Sequence, residues 1–245
     1  MERFPRANLL DPKEVMNDTD EFWGNSPTNI RNPAHSRYIY TSKWLFDHRH
    51  VYDRVIMTDI RDVAIYADPF DQIQDGNKTK TQVQTFTEIS TYRGQGNWAN
   101  QPWVRNCYGE SFLQSIMDEK ITCCALVAGT MHGLMSYLRA FLDQLREKHM
   151  CDLVGADTAI HVWIIHKILT GVQIVDSDHS LIRHNPRPQH VKERFDISTG
   201  GIYNADGQLY ALIHQYDRHP SLAEAYLKRH DITFETIQFQ NKTRL

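Results

Sequence analysis

Long hydrophobic runs are missing from this sequence. No apolar stretch approaches the roughly 20 residues that a membrane-spanning helix needs. No segment has the order of charge, apolar run and small residues that marks a signal peptide. The expectation is a chain without a transmembrane segment, placed in the cytoplasm. Charge of one sign is scarce as well. Lys plus Arg number 27 against 30 Asp plus Glu, a net charge of −3 with histidine neutral. Such a balance offers no basic footprint for nucleic acid. Cysteine is sparse: Cys107, Cys123, Cys124 and Cys151 form no CxxC pair. On a strand, the adjacent Cys123 and Cys124 point to opposite faces, which does not suit a zinc knuckle. The four read as small buried apolar residues in a reducing compartment. A GxSxG elbow is absent, and the two glycines of residues 93–98 have neither the spacing nor the strand context of a phosphate-binding fingerprint.

What is present is enough to fold. Hydrophobic residues make up 41% and aromatics 11%, with only 12 Gly and 9 Pro, over 245 residues. That length buries a core without staples and argues against disorder. Residues 1–32 stand apart, being polar and rich in Asn, Asp and Pro, with no opening strand. Pro33 can start a helix, predicted over 33–48. Residues 53–59 (DRVIMTD) read as a short, fully buried parallel strand ending in acid. Residues 63–66 form another short apolar run, and Asp68-Pro69-Phe70 turns the chain. Strands are predicted over 82–90, 121–128 and 172–175. Helices are predicted partly over 101–117, clearly over 131–149, and over 158–169 with Asp157 as a cap. Residues 200–213 read as a hairpin around Asp206-Gly207, and Pro220 opens a last helix. Helices alternating with short apolar strands predict one α/β domain with a mixed sheet.

Four constellations can carry chemistry. Asp59, Arg61 and Asp62 follow a strand, where ligands of open α/β sheets bind. Two carboxylates there can converge on Mg2+ or Mn2+; alternatively Asp59 caps backbone amides and Arg61 pairs with Asp62. His214 ends a strand before Gln215-Tyr216-Asp217-Arg218, so its imidazole can complete a manganese site while Arg218 faces phosphate, or it can simply bond to backbone. Asp157 before a helix can be a base or a cap. Residues 176–187 (DSDHSLIRHNPR) hold a competing acid pair, Asp176 and Asp178, and His184 and Asn185 that can line an acceptor. The first acid pair is favoured because its strand is more apolar and a basic residue flanks it. Gly129-Thr130 at a strand-to-helix junction can offer amides to an anion.

Three blocks carry a resemblance. Residues 52–70 (YDRVIMTDIRDVAIYADPF), 124–145 (CALVAGTMHGLMSYLRAFLDQL) and 204–220 (NADGQLYALIHQYDRHP) resemble, in the same order, a family of glycosyltransferase A-type proteins of plants, algae, bacteria and large viruses. The resemblance spans roughly 33–219, and the last block is its most specific part. It implies a single Rossmann-like glycosyltransferase A-type domain over 33–245. Residues 1–32 would then be a polar arm or a truncated nucleotide-binding start, without the usual first strand.

The resemblance also implies a nucleotide-diphospho-sugar donor, a glycan or glycoprotein acceptor, and Mn2+ or Mg2+. Asp62 would match the metal-binding acid, Asp59 would bind metal beside the donor's sugar or ribose, and His214 would complete the coordination. Asp157 would match the helix-leading acid near the acceptor and serve as base, with Arg61 and Arg218 on the diphosphate. Two departures stand out. The acids are separated by two residues rather than one, and Asp157-Thr158 replaces the family's frequent Asp-Gln. Two other functions fit the residues. One is a metal-dependent phosphoester or pyrophosphate hydrolase using Asp59, Asp62, Asp176 and Asp178. The other is a noncatalytic glycan-binding or scaffold module.

Overall fold

The computed structural model describes residues 33–59, 62–71, 83–95, 100–147, 155–184, 195–196, 201–218 and 220–229. The expectations for residues 1–32, Arg61, Cys151 and Asn185 lie outside the described residues. The fold is α/β with mixed parallel and antiparallel sheets, consistent with a single Rossmann-like domain.

Helix α1 (Pro33–Asp47) starts at a proline, which needs no hydrogen-bond partner for its nitrogen there. Its buried residues His35, Tyr38, Ser42 and Leu45 recur at helical spacing. That stripe packs on α3 (Met131–Glu147), where Tyr38 stacks on Phe141 with ring centroids 3.6 Å apart. Leu134, Tyr137, Leu138, Phe141 and Leu142 form the buried face of α3. Each large apolar side chain so buried contributes about 1.5–3 kcal/mol.

The main sheet has the order β1 (Arg54–Thr58), β4 (Lys120–Thr130), β3 (Val83–Thr91), β5 (Val172–Val175). A second sheet runs β2 (Val63–Ile65), β9 (Leu212–His214), β6 (Ile182–His184). Between them in the chain lie α2 (Asn100–Ser115), α4 (Ala156–Trp163) continuing as a π-helical turn (Ile164–Ile168), and the two-residue pair β7 (Phe195–Asp196) and β8 (Gly201–Ile202). Helix α5 (Pro220–Arg229) follows.

β1 departs from expectation. It is not a buried parallel strand but runs antiparallel to β4 at the edge of the described sheet, and is only half buried. Its apolar run has a different cause. Val55 and Met57 pack on the α1–α3 core, while Ile56 packs with Phe86 and Leu126 on the other face. Cover on both sheet faces demands apolar residues at successive positions whatever the strand direction.

The late hairpin is also modified. Tyr203 bridges Leu209 across a turn held by Asn204, and Gly207 takes φ +76°. Beyond Tyr210, whose N–H still donates to the Ile202 carbonyl, the chain leaves that pairing, and β9 inserts between β2 and β6. The cysteines differ too: Cys107 is disulfide-bonded, whereas Cys123 and Cys124 are free.

Candidate metal centre

Strand pairing assembles the centre. Val63 on β2 pairs with His214 on β9, and His214 pairs in turn with His184 on β6. Asp62, just before β2, therefore lies beside the end of β9. The backbone N–H of Gln215 donates to the Asp62 carbonyl at 2.6 Å, which ties the two chain segments together. Gln215 makes this turn with φ 64°, the left-handed region that a non-glycine residue occupies at a cost. Asp59, just past β1, comes in from the main sheet.

The ligand atoms of Asp59, Asp62 and His214 lie within 4.8 Å of one another, so this group could hold a metal ion. His214 is fully buried and Asp62 is 5% exposed. His214 Nε2 stands 3.4 Å from Asp59 Oδ2 and 3.5 Å from Asp62 Oδ1, yet it makes no aligned hydrogen bond. A buried nitrogen aimed between two carboxylates, at distances too long for a good hydrogen bond to either, is the arrangement a bound cation resolves. Two carboxylates and an imidazole are a fitting donor set for a first-row divalent ion.

The centre borders a cavity of about 500 Å3, lined by Arg37, Thr41, Thr58, Asp59, Asp62 and Cys124 among others. Arg37 and Thr41 are one helical turn apart on α1, so they share the face next to the buried stripe. Arg37 pairs with Asp59, and its Nη2 donates to Asp157 Oδ2 at 2.9 Å. Burial works against the guanidinium charge, but Tyr38, Cys124, Asp59 and Asp157 outweigh it and keep it charged. Burial likewise pushes the Asp59 carboxyl up, while His214 and Arg37 outweigh that and hold it below the usual carboxylate range. Nothing in the sequence pattern singled out Arg37, which lies in a helix 22 residues before its partner Asp59.

Other predicted residues fall elsewhere. His184 does not face the cavity; it is 1% exposed and sits behind His214, with the two Nδ1 atoms 2.8 Å apart. Its Nε2 is 3.2 Å from Glu88 Oε1 on β3, another residue that sequence reasoning missed. Cys123 Sγ is 3.9 Å from His214 Nδ1, so a second group of Cys123, His184 and His214 also converges.

Asp157 is the second residue of α4, not its cap; the cap position belongs to Gly155. Asp157 Oδ1 accepts the N–H of Thr158 at 2.9 Å. Arg218 is exposed in the turn Tyr216–Arg218, close enough to His184 for its charge to oppose protonation there.

Gly129 and Thr130 pair with Val55 and Arg54 at the far end of β1 from Asp59. Thr58 pairs with Leu126, so Thr130 is four residues, roughly 13 Å, along the strand from that end. Thr130 lines a separate depression of about 1050 Å3. The junction's amides are partly used already: Met131 N–H donates to the Asp53 carbonyl and Gly133 N–H to Thr130 Oγ1.

The competing acid pair is engaged by cations. Asp176 bonds Lys120 at 2.7 Å and caps the N–H of Asp178, while Asp178 pairs with the buried Arg183. No helix among the described residues is long and apolar enough to cross a membrane. Compared with protein-family models and with curated proteins, the sequence matches none.

Proposed function

We propose that the chain is a metal-dependent glycosyltransferase that moves a sugar from a nucleotide-diphospho-sugar to a hydroxyl of a glycan or other acceptor. The observation that carries this reading is the convergence of Asp59, Asp62 and His214 at a cavity that also holds the Arg37 guanidinium. A carboxylate pair with one imidazole suits Mn2+ better than Mg2+, which prefers an all-oxygen octahedron with several waters. Such an ion would neutralise charge developing on the departing diphosphate.

The chain's own residues supply the rest. Arg37 presents a charged, half-buried guanidinium to the same cavity, where bidentate bonding to phosphate oxygens is strong. Arg218 is exposed and available at the neighbouring sheet end. The hydrolase alternative needs Asp176 and Asp178 beside Asp59 and Asp62. Both are instead bonded to Lys120 and Arg183, and among the described residues neither joins Asp59 and Asp62 in a group that could hold a metal.

The test is a panel of nucleotide-diphospho-sugars, each with and without Mn2+, read by thermal stabilisation and by sugar release. A true donor at a hundredfold over its Kd adds about 2.7 kcal/mol to stability. That gain should appear only with the ion present and should vanish in Asp62→Ala. Turnover in Asp62→Ala at the wild-type rate would remove the metal role, and a folded protein that responds to no donor would remove the function.

A further inference from the structure

Behind the metal centre runs a line of three side chains: Glu88, His184 and His214. Glu88 Oε1 lies 3.2 Å from His184 Nε2, and His184 Nδ1 lies 2.8 Å from His214 Nδ1. Both histidines are at most 1% exposed, so neither ring is free to trade these partners for water. Hydrogen-bond chemistry orders the protons along this line. A carboxylate oxygen only accepts, so His184 Nε2 must donate to Glu88. A neutral imidazole carries one N–H, so with Nε2 donating to Glu88 its Nδ1 is left as an acceptor. Two ring nitrogens 2.8 Å apart need one proton between them, and it must then sit on His214 Nδ1. The other nitrogen of His214, Nε2, is the one directed between Asp59 and Asp62.

We infer that Glu88 and His184 are positioning residues that fix His214 with its proton on Nδ1 and so present Nε2 as a metal-ligating lone pair toward Asp59 and Asp62. This rests on the metal reading of the same site. The outer partners of a ligating histidine set its ring orientation and tautomer, and losing them costs about 10–100-fold in metal affinity. The neighbouring Cys123 Sγ, at 3.9 Å from His214 Nδ1, is a weaker partner at longer range and is not needed for the line.

The experiment measures Mn2+ affinity by titration of the full chain, with circular dichroism to confirm the fold. Asp62→Asn reports on the metal centre itself. His184→Leu removes the acceptor for His214 Nδ1, whereas His184→Asn keeps an oxygen near the place of Nδ1. The expected pattern is loss of Mn2+ binding in Asp62→Asn, a Kd weaker by about 10–100-fold in His184→Leu, and recovery of most of that loss in His184→Asn. Should His184→Leu fail to fold, Glu88→Leu cuts the line one step further back and should weaken Mn2+ by up to about tenfold. Nitrogen-resolved NMR of the protein loaded with Zn2+, a diamagnetic ion that takes imidazole and carboxylate ligands, should show His214 protonated on Nδ1 and bare on Nε2. A His214 proton on Nε2 in that state would overturn the inference. So would a His184→Leu protein that is folded and binds Mn2+ like wild type while Asp62→Asn does not. If Asp62→Asn also binds like wild type, the metal reading fails first and the inference with it.

Discussion

Arg37 and Asp157 are joined by a hydrogen bond of 2.9 Å, Nη2 to Oδ2, across 120 residues of chain. The other Asp157 oxygen accepts from the Thr158 backbone. Both oxygens are thus engaged, and Asp157 is not among the residues that line the cavity. A general base must reach the proton it abstracts; Asp157 reaches Arg37. In the structure it holds that guanidinium between itself and Asp59. Asp157→Asn keeps the shape but weakens the ion pair, so kcat/KM should fall about tenfold, mainly through a higher KM for the donor. The pH–rate profile should keep its basic and acidic limbs. If turnover instead slows by about a hundredfold or more at saturating donor and one limb disappears, Asp157 is the base.

Asp157 owes its place to Gly155. That glycine takes φ +85° at the start of α4, and a Cβ there would lie 2.1 Å from Trp103 Cδ2. Gly207 offers a control, with φ +76° but open space within 4 Å of where a Cβ would stand. Gly155→Ala combines the backbone cost with the collision and should lose about 2–4 kcal/mol. Gly207→Ala should lose only about 1–2 kcal/mol. Thermal unfolding of the two variants isolates the Trp103 contact; equal losses would mean that Trp103 moves aside freely.

Much of the scaffold was legible in the residues, because periodicity and punctuation act locally. Pro33, the stripe from Leu134 to Leu142 on α3, and Pro220 each mark an element found where it was expected. The convergence of Asp59, Asp62 and His214 was legible too, since each ends or begins a short apolar strand. What could not be read was set by pairing. Strand direction placed Gly129 and Thr130 at the wrong end of β1, and parallel register put His184 behind His214 rather than in front of it. Glu88 and Arg37 carry no local signal. One looks like any polar residue of an alternating strand and the other like a charge on a helix, and only the tertiary fold brings them in.

Gln215 is the strained link at the centre. Its φ of 64° follows directly on His214, and its side-chain Oε1 is buried without a hydrogen-bond partner. Glycine relieves the first cost and removes the second, against greater freedom in the unfolded chain. Gln215→Gly should therefore be neutral or stabilising by up to about 1 kcal/mol. Gln215→Val, with a branched side chain in the left-handed region, should lose about 1–3 kcal/mol. Denaturant titration checks both. If Gln215→Gly loses more than the valine variant, the side chain makes a contribution that the turn geometry does not account for.

His161 tests the core rather than the site. It is fully buried, its Nδ1 2.9 Å from the Tyr137 hydroxyl and its Nε2 3.2 Å from the hydroxyls of both Thr85 and Thr122. Burial, aided by the charges of His166 and Arg37, lowers its pKa to about 3 from an ordinary 6.5. In the unfolded chain the ring takes a proton below about pH 6.5, and in the folded chain it does not until about pH 3. Unfolding therefore takes up a proton in that window. The stability this confers is complete above pH 6.5 and declines as pH falls toward 3. Between about pH 7 and pH 5 the loss should reach about 2 kcal/mol. His184 is also lowered by burial and adds to the trend in the same direction, so the informative quantity is the difference from a variant. His161→Gln keeps a polar group for Tyr137 but cannot titrate; it should be less stable than wild type at neutral pH and flatter with pH by about one proton. Equal pH slopes for the two proteins would mean that His161 is already protonated, or reached by water, in the folded state.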